Sequence, residues 1–208
     1  MTWTTTREAF EHAAQGFTAT TAALDAVGPD AWDQPALGEW SRGDLVGHTA
    51  RALLTVEQYL ADGTTTSTAT TLDYYRTVRS SRADPAAVAE RGRQAGRDLG
   101  ADRSTAIQTV VERVTARVRT ARPDARVVTP MGEWALAAYL PTRVFELTVH
   151  TSDLRVAAGL DADPPGAAAH EALRVLGLLV ADADPEDATA LLRALAGRAA
   201  LPAGWSAL

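Results

Sequence analysis

Arg143-Val-Phe-Glu146-Leu-Thr-Val-His150-Thr-Ser-Asp153-Leu154 is apolar on every side but one. At about 100° per residue, Glu146 and His150 stand one helical turn apart, about 6 Å along the axis, and Arg143 and Asp153 fall within the same arc. Leu140, Val144, Phe145, Leu147, Val149, Leu154 and Val156 cover most of the remaining surface. A helix that is apolar nearly all round belongs inside a protein. Four ionisable groups on a buried helix cost several kcal/mol unless each is paired or bound. Two arrangements meet that cost. A neutral imidazole and a carboxylate are metal ligands as they stand. Equally, the four groups can satisfy one another as a metal-free structural network. This segment by itself leaves both open.

The rest of the chain supplies helices to bury it. Phe10, Ala13, Ala14, Phe17 and Leu24 recur at helical intervals between Thr5 and Val27, and Gly28-Pro29 closes that helix. A second helix opens with Ser41 as N-cap, Asp44 at the third position and Trp40 placed to staple onto Leu45. It carries His48 on its buried arc and is expected to end near Asp62-Gly63. Alone, His48 reads as a satisfied core histidine. The Thr64–Thr71 tract reads as a mobile loop, and Leu72 to Val78 as a short helix near a pocket rim. Asp84-Pro85 starts a third long helical region, broken around Gly100, whose Arg-rich face (Arg91, Arg93, Arg97, Arg113, Arg117, Arg119) reads as solvated surface. Val127-Val-Thr before Pro130-Met-Gly132 suggests an extended piece and a turn. The central helix follows from about Leu136 to Ala158; Pro141 is tolerable in its first turn and would kink it if deeper. Two shorter helices, over Ala167–Ala181 and from Pro185 to Gly197, and a tail complete the chain. His12 and His170 read as incidental.

The expectation is therefore all-α: one domain over 1–208 built as a four-helix bundle with short extra C-terminal helices, and a tail (198–208) without its own fold. The 208 residues carry a net charge of −6, which argues against a nucleic-acid partner. Zero cysteines exclude disulfides, thiolate ligands and a cysteine nucleophile, so thiol chemistry would need a thiol from outside. No apolar run approaches a membrane span, and the first residues carry no apolar signal core. A cytoplasmic protein without a membrane partner is expected. With so much Ala and Leu, the bundle is compatible with a homodimer.

One imidazole from the second helix, His48, added to Glu146 and His150, makes a two-His, one-carboxylate set with an open coordination position. Trp40-Ser-Arg-Gly-Asp44-Leu45-Val-Gly-His48 and Arg143-Val-Phe-Glu146-Leu-Thr-Val-His150-Thr-Ser-Asp153-Leu154 resemble the two signature blocks of the mycothiol-dependent maleylpyruvate isomerase family, within the DinB-like superfamily. Thr129-Pro130-Met131-Gly132 and Ala196-Gly197-Arg198 with Leu201-Pro202 add to the likeness. The resemblance implies a four-helix bundle, a divalent metal (usually zinc) on His48, Glu146 and His150, and mycothiol as cosubstrate. The isomerases proper carry a further C-terminal domain, whereas this chain stops at Leu208. The expected activity is accordingly a related thiol-dependent transfer or isomerisation on a small electrophile. Arg143 is placed to hold a substrate carboxylate or to neutralise Glu146 and Asp153. Asp153 can fix the tautomer of a ligating imidazole, and Trp134, Tyr74 and Tyr75 are candidate pocket walls. The same ligand set also occurs in non-haem iron oxygenases, and a non-catalytic metal-binding or interaction module is the third reading.

Overall fold

The apolar periodicity resolves into helices that start and stop where local chemistry directs. The computed structural model describes residues 2–81, 84–201 and 203. In chain order these form α1 (Trp3–Val27), a 3-10 turn (Pro29–Asp33), α2 (Arg42–Tyr59), β1 (Leu60–Thr64), α3 (Thr71–Ser80), α4 (Pro85–Asp98), α5 (Arg103–Thr120), β2 (Ala125–Thr129), β3 (Gly132–Ala135), α6 (Leu136–Ala157), α7 (Gly166–Ala181) and α8 (Pro185–Leu195). The fold is mostly all-α, of the DinB-like kind. The α2 capping box forms as the sequence indicates: Ser41 Oγ accepts from Asp44 N at 3.1 Å and Asp44 Oδ2 from Ser41 N at 3.0 Å. Pro202 and 204–208, most of the expected tail, lie outside the described residues.

Helices α1, α2, α5 and α6 form the four-helix bundle. Leu136, Leu140, Val144, Leu147 and Leu154 of α6 are fully buried, facing Phe10 and Phe17 of α1 and Leu45 and Leu53 of α2 in one core. The third helix of the bundle is α5 alone. The helical region expected from Asp84 onwards divides at Gly100, which takes a positive φ of 75°, and α4 turns back to pack on α2. Pro141 falls at the sixth residue of α6, past the first turn. Around it, hydroxyls take up nearby carbonyls: Thr142 Oγ1 donates to Tyr139 O at 2.6 Å and Thr71 Oγ1 to Ala138 O at 2.9 Å.

A small antiparallel sheet, in the order β1-β2-β3, fixes how α2 and α6 sit against each other. The β2–β3 hairpin matches the extended piece and turn expected near Pro130. Strand β1 was not expected. Helix α2 stops at Tyr59, short of Asp62-Gly63, because Leu60 goes extended and pairs with Val127. The following Thr/Ser tract is a loop, as expected, and it is hydrogen-bonded to β3. Thr65 hydrogen bonds to the Glu133 carboxylate and Ser67 Oγ donates to Glu133 O at 3.0 Å. Because α2 runs directly into β1 and β3 directly into α6, heights along both helices count from a shared end. At 1.5 Å per residue His48 lies about 18 Å from the sheet, between Glu146 at about 16 Å and His150 at about 22 Å. Nearer the sheet, Thr55 and Tyr139 fall at similar heights, and Tyr139 Oη donates to Thr55 Oγ1 at 3.0 Å.

Four glycines bring α4 onto α2. Gly43 and Gly47 on one helix meet Gly92 and Gly96 on the other. A Cβ added at Gly47 would stand 2.1 Å from Gly96 N and 2.4 Å from Gly92 O, both backbone atoms that cannot swing away. Gly47→Ala is therefore expected to lose about 3 kcal/mol or more of stability in urea denaturation, the upper end of overpacking costs. Gly177→Ala, in α7 with nothing among the described residues within 4 Å of an added Cβ, should instead gain up to about 1 kcal/mol from helix propensity.

Candidate metal centre

Helices α2 and α6 converge on His48, Glu146 and His150, each offering a ligand atom within 4.8 Å of the others. His150 Nε2 lies 3.4 Å from Glu146 Oε2, and the His48 and His150 rings meet edge to face with centroids 4.8 Å apart. The expected convergence is thus present in the geometry. The two imidazoles are held in different ways. His150 Nδ1 hydrogen bonds to Asp153 Oδ2 at 3.1 Å, so Asp153 acts on the site through His150 and does not line the cavity. His48 Nδ1 is buried and has no hydrogen-bond partner among the described residues. That nitrogen lies beside the Gly92 backbone, while the ring leans on Trp40 with centroids 4.5 Å apart. Trp40, expected only to staple the start of α2, also braces His48.

The electrostatics favour positive charge between the carboxylates. Burial lowers the His48 pKa to about 4, assisted by repulsion from His150, so the ring is neutral at pH 7. Burial pulls His150 down as well, but its bonds to Asp153 and Glu146 outweigh that and raise it to about 9. Glu146 is held below the usual carboxylate range. Burial opposes this, and the His150 hydrogen bond and the Arg143 charge prevail. Without metal, a proton on His150 offsets Glu146; a divalent cation could take over that role. One neutral imidazole, one imidazole with its rear nitrogen held by a carboxylate, and one ionised carboxylate suit such a cation.

Arg143 occupies the same face but does not neutralise Glu146 or Asp153 by contact. No ion pair of Arg143 within 4.0 Å occurs among the described residues. Its Nε donates to Thr142 Oγ1 at 2.9 Å and its Nη2 to Tyr74 Oη at 3.2 Å, and the guanidinium lies over the Tyr139 ring at 4.9 Å. Burial opposes its charge, yet Tyr139, Tyr74 and Glu146 push its pKa further up.

A cavity of about 460 Å³ opens onto His48, Glu146 and Arg143. Tyr74 forms part of its wall as expected. Trp134 and Tyr75 stand behind that wall, packed on Tyr74 with centroids 5.5 and 5.7 Å away. Among the lining residues that sequence reasoning missed are Tyr139, Arg51 and Arg91. Arg51 follows His48 by three residues, and that spacing could have revealed it. Arg91 was read with the solvated arginines. Several of those do sit in surface ion pairs, Arg97 with Glu90 at 2.6 Å and Arg113 with Glu57 at 2.5 Å, whereas Arg91 faces the cavity. His12 and His170 are exposed and remote from the cluster.

No curated protein and no solved structure matches the chain. A family model described as the mycothiol maleylpyruvate isomerase N-terminal domain matches residues 10–155, a span that runs from α1 through Asp153 and contains the whole His48–Glu146–His150 cluster. The chain belongs to the mycothiol maleylpyruvate isomerase N-terminal domain family.

Proposed function

We propose that this chain supports a metal- and thiol-dependent transfer or isomerisation, with mycothiol as the thiol and a small acidic electrophile as its partner. One observation carries the reading: His48 and Glu146, which cluster with His150, stand at the wall of a cavity that also presents a half-buried arginine, Arg143, without a carboxylate partner among the described residues. His48, Glu146 and His150 would hold the cation, most simply zinc. When bound, it supplies a positive charge that favours ionisation of an incoming thiol near neutral pH.

The chain's own residues supply the rest. Asp153 keeps the proton of His150 on Nδ1, leaving Nε2 facing Glu146. Three guanidinium groups, Arg51, Arg91 and Arg143, line the cavity against the single carboxylate of Glu146, so an anionic electrophile is favoured over a neutral one. Arg143 is fixed by Thr142 and Tyr74 and can hold a substrate carboxylate without first reordering its own side chain. The Tyr74 and Tyr139 rings beside it exclude water and strengthen that contact.

Two measurements check the reading. Asp153→Asn is expected to weaken zinc binding about 10- to 100-fold in competition with a chromophoric chelator, and His48→Ala to abolish the rise in melting temperature on adding zinc. Wild-type protein that takes up no zinc would remove the metal from the reading. In a thiol-consumption assay, Arg143→Gln should lower kcat/KM for a carboxylate-bearing electrophile about 10- to 100-fold, the worth of one charge-assisted hydrogen bond. The methyl ester of the same electrophile should be nearly indifferent; equal losses on both would show that Arg143 is structural.

A further inference from the structure

The metal-donor cavity is charged around Arg143 and Glu146 and apolar over much of the rest. Ala52, Val78, Val88, Pro130 and Met131 reach it from α2, α3, α4 and the β2–β3 turn. The hydroxyls interspersed with them donate to the protein itself. Thr55 Oγ1 donates to Arg51 O at 2.7 Å and Tyr139 Oη to Thr55 Oγ1 at 3.0 Å. Thr129 Oγ1 donates to Gly132 O at 3.1 Å and Ser81 Oγ to Val78 O at 2.7 Å. A hydroxyl-rich or amide-rich body entering this space leaves its water behind for few hydrogen bonds in return. An apolar body gains from the same transfer.

The charged end takes one carboxylate. Arg143 is fixed by Thr142 and Tyr74, and the Tyr74 and Tyr139 rings flank its guanidinium at 5.4 and 4.9 Å. Tyr74 Oη accepts from Arg143, which leaves its own proton for an anion held there. Arg91 is exposed, and among the described residues no hydrogen bond fixes the guanidinium of Arg91 or Arg51. Water and salt compete for the charge those two offer.

The space is larger than a carboxylate and a pair of reacting carbons require. At about 30 Å³ for each water, 460 Å³ is the room of about fifteen. The turn that closes one side is itself held in shape: Met131 N donates to Thr129 Oγ1 at 3.1 Å. The thioether it presents can follow an irregular apolar outline.

Resting on the function proposed above, we infer that the electrophile joins a single carboxylate to an apolar body of about four to eight carbons. The carboxylate sits at Arg143 and the Tyr74 hydroxyl, and the reacting carbon beside Glu146 and His48. The body lies against Ala52, Val78, Val88, Pro130 and Met131.

Straight-chain saturated carboxylates cannot react with a thiol, so their binding to the full chain, followed by calorimetry or saturation-transfer NMR, probes the cavity without turnover. Octanoate is expected to bind between about 30- and 250-fold more tightly than butanoate, up to about fourfold for each buried methylene. Val88→Asn and Met131→Gln should each lower that octanoate-to-butanoate ratio at least fivefold, whereas Arg143→Gln should weaken both acids and leave the ratio as it was. If one of the two wall variants fails to fold, the other carries the comparison. A ratio near one in the wild type, or a ratio unchanged in a folded wall variant, overturns the inference. Length-dependent binding that the wall variants flatten, in a protein that never consumes thiol, upholds the apolar site and removes the enzymatic reading instead.

Discussion

The short sheet at one end of the bundle sets the height of nearly everything that matters. Helix α2 enters it and α6 leaves it, so residues on the two helices face each other when their distances from the sheet agree. Tyr139 meets Thr55 a turn or so in, and His48 meets Glu146 and His150 some three turns in. A one-residue change in either connection would rotate its helix by about 100° and move it by about 1.5 Å, which would turn a ligand away from the cluster. The tie therefore acts on the site at a distance, through rigid helices.

Within that frame, α6 carries a polar stripe into an apolar core. Burial alone would make each charge on it unfavourable. Asp153 and Glu146 resolve this by sharing His150, while Arg143 is stabilised by tyrosines and by the Glu146 charge across a gap. The result is not a closed structural network. A closed network would have paired Arg143 with a carboxylate, and the bundle leaves it facing the cavity. The metal-free alternative left open by the sequence fits His150, Glu146 and Asp153 well, but it leaves Arg143 without a carboxylate among the described residues.

What could be read from the residues alone follows from how local the signals are. The capped start of α2, the buried helix α6 and the i,i+4 relation of Glu146 to His150 are each encoded within about a dozen neighbours. The addition of His48 came from the family likeness more than from spacing. Strand β1 was hidden because Leu60–Thr64 contains Asp and Gly and has Thr64 as its one β-branched residue. Its extended shape comes from pairing with β2, a tertiary effect. The glycine crossing was also illegible. Gly43, Gly47, Gly92 and Gly96 have their four-residue spacing in plain view, but nothing local says that the two pairs face each other. Arg91 is exposed, as read, but its place on the cavity wall was illegible, because a run of arginines on one helix gives no sign of which one turns towards a cavity.

The glycine crossing links these failures to the site. His150 is oriented by a hydrogen bond, which survives small shifts in packing. His48 has no such bond on Nδ1 and depends on being wedged, with Trp40 on one side and the Gly92 backbone on the other. A side chain at Gly92 would place its Cβ 3.1 Å from His48 Cβ and 3.4 Å from the Trp40 ring, crowding both braces at once. Helix α4 contributes none of the three ligand atoms, yet its closeness to α2 holds the His48 ring in place. The same approach carries Arg91 to the cavity wall beside Arg51. One backbone contact thus sets the aim of a metal donor and the charge at the mouth of the cavity together, and a change that loosened it would disturb both.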